Sequence, residues 1–238
     1  MRPNFLGGNG RATDRQVTDG PFAVAKGGWT LNVVDSPGAP NFLQRNFGKG
    51  LDPQNNSIDV NLPDAKAQDD AVNIRWYDSS PWDVTASRND SFRNRAEITL
   101  HNLVHRWVGG LWVDNGQVLG GTMMQMSSPN DPVFWLHHCN LDRLWAAWQQ
   151  RHPSSAPYLP YAGAAPGHNL PETLIFGDPM PWADTYTPVA VIDNYALGYS
   201  YDALPAAIAA PAAPMLAMRA PEQGRGRLLF PLASELET

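Results

Sequence analysis

A single cysteine, Cys139, is the only thiol among 238 residues, and one thiol closes no disulfide within a chain. Cysteine usage therefore supplies no sign of an oxidising compartment. Basic charge is also short. The 17 Lys and Arg stand against 23 Asp and Glu, for a net charge of −6 and an isoelectric point near 5.4. No basic stripe is present to meet phosphates, so nucleic acid is excluded as an expected partner. No run approaches the roughly 18 apolar residues that span a bilayer, which excludes a membrane-spanning role. The opening MRPNFLGGNG lacks the apolar centre of a signal peptide. The expected location is the cytoplasm, or the exterior by a route that needs no signal of its own. Glycine and proline, in contrast, are abundant at 20 and 22 residues, which predicts long irregular connections between few regular elements. The length suits one domain with a real core, or two small ones.

Residues 1–90 read mostly as loop, with turn signals at Gly7-Gly8, Asn9-Gly10, Asp19-Gly20-Pro21, Gly27-Gly28 and Ser36-Pro37-Gly38. Two segments read as helices. The first is capped at Asn89-Asp90-Ser91, runs through FRNRAEITLHNLVHRWV and stops at Gly109-Gly110. The second opens at Asn130-Asp131-Pro132, a cap followed by proline at the first helical position, and stops before Pro153. Between them, LWVDNGQVLGG places Asn-Gly between alternating apolar residues, which predicts a small hairpin. Loops return after about residue 154. The Ala/Pro-rich stretch from Leu204 predicts a linker and tail over 204–238, leaving 1–203 as the folded domain.

Glu97, His101 and His105 recur every four residues. At about 100° per residue they line one helix face, a turn apart, where two imidazoles suit a single metal ion beside a carboxylate. On the second helix, Phe134, Leu141, Trp145 and Trp148 define an apolar face with His137 and His138 in or beside it. A histidine facing a core needs partners for its ring nitrogens, because an unsatisfied buried polar group costs about 1–3 kcal/mol. A metal shared with the first helix answers that need. Asp142, four residues past His138, is placed to hold a ring nitrogen and fix its tautomer. Neutral imidazoles without thiolates suit copper or zinc. Spacing alone chooses neither between those metals nor between His137 and His138 as third ligand. A mononuclear zinc hydrolase, with Glu97 as general base on a bound water, is one reading of this set.

The stretches LHNLVHRWVGG and SSPNDPVFWLHHCNLDRLWAAWQQRHP resemble the second-copper half of bacterial tyrosinases. Weaker similarity extends over roughly residues 3–203. This resemblance implies a mainly α fold: part of a four-helix bundle with two metal-bearing helices, long loops and a small hairpin. It implies the type-3 copper chemistry of that family, in which two coppers on three histidines each use dioxygen to hydroxylate phenols and oxidise catechols to quinones. By position in the motif, His101, His105 and His138 are the implied copper ligands, with His137 the neighbouring non-ligand. Glu97 and Asn102 match a pair that orients a water near a bound phenol. Phe134 matches an aromatic packed over the site, and Arg106 a variable residue at the pocket mouth.

Other features take plainer readings. Met123, Met124 and Met126 read as apolar packing rather than soft copper ligands, and Cys139 as a small buried residue. His152 and His168 read as solvated. The family's first-copper half has no counterpart in this sequence, since the six histidines hold no second HxxxH pair. One copper per chain is therefore expected, with little phenol oxidation by the chain alone. The apolar face of the second helix then needs a cover. The missing half of a longer protein, a partner chain or a second copy across a two-fold axis would each supply one. A non-catalytic copper-binding remnant is the remaining expectation.

Overall fold

The computed structural model describes residues 5–31, 33–34, 37–78, 91–154 and 188–205. Its regular structure is mainly helical. Helix α1 (Ala65–Val72) is capped by Asp64, whose carboxylate accepts the Ala67 N–H at 2.8 Å. The sequence reading treated this stretch as loop, because eight residues rich in Asp, Lys and Gln carry little apolar periodicity.

Residues 92–109 form one continuous helical run, as predicted, but it is not uniformly α. Helix α2 (Phe92–Arg95) leads into a wide π-turn over Ala96–His101, which is followed by helix α3 (Asn102–Gly109). Ser91 caps the run by accepting the Asn94 N–H at 3.2 Å; Asn89 and Asp90 lie outside the described residues. Within the π-turn the Asn102 N–H donates to the Glu97 carbonyl, one residue beyond α spacing. Such bulges widen a helix locally and often mark functional sites. Gly110 ends the run at φ 65°, where a Cβ would lie 1.9 Å from the Asn46 carbonyl oxygen.

The predicted hairpin is present as β3 (Leu111–Asp114) paired antiparallel with β4 (Gln117–Gly120). Asn115 and Gly116, at φ 48° and 76°, make the tight turn that Asn-Gly favours. A second small hairpin pairs β1 (Lys49–Leu51) with β2 (Ser57–Asp59). Helix α4 (Pro132–Arg151) starts and stops where the sequence placed it. Its cap, Asp131, accepts the Val133 N–H at 2.9 Å and is wholly buried. Burial is possible because Arg45, equally buried, donates to both carboxylate oxygens at 2.7 and 2.8 Å.

The core lies where α1, the 92–109 run and α4 meet, around Val72, Phe92, Leu100, Leu144 and Trp148. Phe92 stacks on Trp148 with ring centroids 5.2 Å apart, and the Trp148 indole donates to the Ile74 carbonyl at 2.6 Å. No helix among the described residues is long and apolar enough to cross a membrane. The expected tail, apart from Leu204 and Pro205, also lies outside them.

Candidate metal centre

Both predicted ligand helices contribute to one histidine cluster. His101 ends the π-turn and His105 follows one turn later on α3, their ring centroids 4.4 Å apart. From α4, His138 brings its ring to 5.1 Å from His101 and 5.8 Å from His105. His137 joins them at 5.4 Å from each.

The nitrogens are unequal. The His105 Nδ1 contacts the Met123 carbonyl at 2.6 Å. A carbonyl only accepts, so Nδ1 carries the proton and Nε2 keeps its lone pair. That Nε2 is buried without a partner, as are the Nε2 of His138 and the Nδ1 of His101. The His101 Nδ1 lies 3.2 Å from the Glu97 carboxylate, but off a hydrogen-bond direction. His137 differs, since its Nε2 meets the His101 carbonyl oxygen at 3.2 Å.

Proximity and partnering therefore select different third ligands. Ligand atoms of His101, His105 and His137 lie within 4.8 Å of one another, whereas the unpartnered nitrogens belong to His101, His105 and His138. Partnering is the better guide to a vacant lone pair. Unsatisfied buried nitrogens are costly, and the donor set is the kind that copper or zinc satisfies. Burial lowers the pKa of His105 and His138, and lowers that of His137 to about 4. The rings are thus neutral near pH 7, the form that ligates.

Phe134 stacks on the His138 ring at 3.9 Å and meets His105 edge-on at 5.9 Å, forming one wall of the cluster. The Glu97 carboxylate lies beside His101, while Asn102 is exposed and touches Glu97 through its backbone N–H. Arg106 runs along β1, where a Cβ on Gly50 would come within 2.8 Å of its guanidinium.

Asp142 does not hold His138. Its carboxylate accepts the Tyr199 hydroxyl at 2.7 Å and also the Tyr201 hydroxyl. The His138 ring leans back over Phe134, as helical side chains lean towards the N-terminus, and so points away from the turn that carries Asp142. Cys139 is exposed rather than buried, on the face of α4 that also presents Trp135 and Leu136. His152 is not free in solvent either. Its Nε2 bonds the Val72 carbonyl at 2.9 Å, satisfying an acceptor at the end of α1, where helices leave carbonyls unpaired. His168 lies outside the described residues.

Sequence reasoning missed the part of Met123, whose backbone carbonyl, not its sulfur, orients His105. The glycine pairs were the available signal. A Cβ at Gly121 would lie 2.3 Å from the Gly109 carbonyl oxygen, and one at Gly109 would lie 2.9 Å from the Met124 nitrogen. Only glycine lets the 122–124 turn come close enough to α3.

The two helices bring together a histidine group that could hold a metal ion. Comparison with known sequences narrows the class. Residues 2–151 match the model for the common central domain of tyrosinase. The chain is 45% identical over 197 residues to a tyrosinase of Streptomyces antibioticus, covering 81% of this chain and 60% of that protein. It is 40% identical over 206 residues to a tyrosinase of Streptomyces glaucescens, covering 84% and 63%. It is 34% identical over 227 residues to the grixazone synthase of Streptomyces griseus, covering 83% and 65%. The chain belongs to the tyrosinase family of type-3 copper oxidoreductases. It spans about 60% of the length of the first of these relatives.

Proposed function

We propose that this chain supplies one three-histidine copper site, on His101, His105 and His138, of an oxidase that uses dioxygen to hydroxylate phenols and convert catechols to o-quinones. The observation that carries the reading is the set of three buried imidazole nitrogens, one on each of these residues, left without partners. Copper bound there supplies the redox couple through which a phenol passes electrons to dioxygen.

The chain's own residues prepare and shape the site. The Met123 carbonyl fixes His105 as the tautomer with a free Nε2, and Phe134 stacks over His138 to keep bulk water from that side. Glu97, beside His101, is assigned to accept the phenolic proton through a water that the exposed Asn102 helps to orient. Arg106, on the turn carrying His105, is assigned to the mouth of the pocket.

A second three-histidine site is assigned to chain beyond these 238 residues, completing the four-helix bundle. The shorter span relative to the curated relatives supports this. A separate partner chain and a second copy are the other sources of a second site. The face of α4 expected to need a cover is largely packed within the chain, with Trp148 buried and Leu141 and Trp145 against the core; Trp135 and Leu136, 60% and 54% accessible, instead support a cover over another side of α4.

The test is copper titration of the purified chain, read by metal analysis and electron paramagnetic resonance. One Cu(II) per chain with nitrogen coordination, a raised melting temperature and little catechol turnover are expected. His105→Ala should abolish tight binding. Preference for zinc with hydrolytic turnover would overturn the copper reading. Light scattering of the loaded chain separates the remaining cases, since a monomer rules out assembly from two copies.

A further inference from the structure

His137 is nearly buried, at 7% exposure, and sits between the two ligand-bearing helices without an evident task. Its Nε2 lies 3.2 Å from the His101 carbonyl oxygen. Its ring lies almost parallel to that of His101, with centroids 5.4 Å apart and planes 7° from each other. A carbonyl has a second lone pair beyond the one a helix uses, so this bond adds to the helical ladder without breaking it. The bond also lands where the backbone is least regular, at the last residue of the π-turn.

Packing encloses the His137 ring on most sides. One side borders a cleft of about 190 Å³ whose lining includes Leu62, Leu100, Val104 and Leu144 together with the polar Gln68 and Asn140. On that side a directional bond adds to the packing. The acceptor is a carbonyl, so His137 must carry its proton on Nε2, the tautomer opposite to that of His105.

We propose that His137 is a positioning residue that grips the His101 carbonyl and so sets the direction of the His101 ring. Helix α4 thereby places its own ligand and steadies one on the neighbouring helix. This rests on the copper reading above, in which His138 and not His137 is the third ligand. It identifies the bond that ties the two ligand helices together at the π-turn.

The test uses the whole chain and three variants: His137→Gln, whose amide nitrogen reaches about as far as Nε2 and donates the same bond, His137→Leu, which does not, and His138→Gln. Nitrogen-15 NMR of the metal-free chain should report His137 as the Nε2–H tautomer. H137L should bind Cu(II) about tenfold more weakly, the lower end of the effect of removing a residue that orients a ligand. It should also show altered paramagnetic resonance parameters with the same number of coordinated nitrogens. H137Q should recover most of the affinity and the parent spectrum, whereas H138Q should lose a coordinated nitrogen.

An Nδ1–H tautomer at His137 overturns the proposal, as does an H137L spectrum and affinity equal to the parent's. Loss of a coordinated nitrogen in H137Q overturns it too, by making His137 a ligand. Should H137L fail to fold, the tautomer and the comparison of H137Q with the parent still decide. A parent chain that binds no copper sinks the copper reading, while the tautomer separately decides whether the bond exists.

Discussion

Arg45 and Asp131 show how much of the site depends on residues that never face it. The pair is fully buried and doubly bonded, and the same carboxylate caps the helix that carries His137 and His138. Arg45 also donates to the carbonyls of Leu6 and Gly7, tying the N-terminal loop beneath α4. Removing one member of a buried pair strands the other, at a cost of about 3–5 kcal/mol. Arg45→Met should lower stability by that order in urea denaturation. Asp131→Asn in the same background should restore part of it, because asparagine still caps but leaves no unpaired charge. Equal stability of the double and single variants would contradict this account.

At the scale of elements, two joints tie loops to the metal helices. Gly110 is the first, held at a positive φ with no room for a Cβ against Asn46. Gly110→Ala should destabilise the chain by more than about 1 kcal/mol. It should also weaken copper binding, because the turn that carries Met123 hangs on this joint and Met123 orients His105. The second joint is Asp142, which anchors residues 193–205 through Tyr199 and Tyr201. Burial and the bond to this carboxylate raise both phenols, Tyr199 to about 12. Asp142→Ala should speed limited proteolysis at residues 193–205 while copper affinity stays near the parent's. A large loss of copper would return Asp142 to the site from which its geometry removes it.

For the molecule as a whole, the buried histidines make stability depend on acid. Burial holds His137 near 4, against a usual value near 6.5, and lowers His105 and His138 in the same direction. The unfolded chain takes up protons as pH falls through 6.5, and the folded chain resists until about 4. Stability should therefore be full above pH 6.5 and fall between there and about 4. Thermal denaturation of the metal-free chain across that range checks the sign. Replacing His137 with glutamine should flatten the curve.

The two ligand helices, their caps at Ser91 and Asp131, the Asn115-Gly116 turn and the four-residue spacing of His101 and His105 were legible in the sequence. Each is local: a cap, a turn dipeptide and a four-residue spacing act within a turn or two of chain. What only the tertiary structure decided depends on groups far apart in sequence. Arg45 finds Asp131 across 86 positions and the His152 ring reaches Val72 across 80. Asp142 is bonded through Oδ2 by phenols 57 and 59 residues away. The π-turn widens a helix that periodicity reads as regular. Spacing alone does not separate the contacts of His137 from those of His138. Adjacent side chains on a helix point about 100° apart, and only the packed partner shows that one ring meets a carbonyl and the other an empty lone-pair direction.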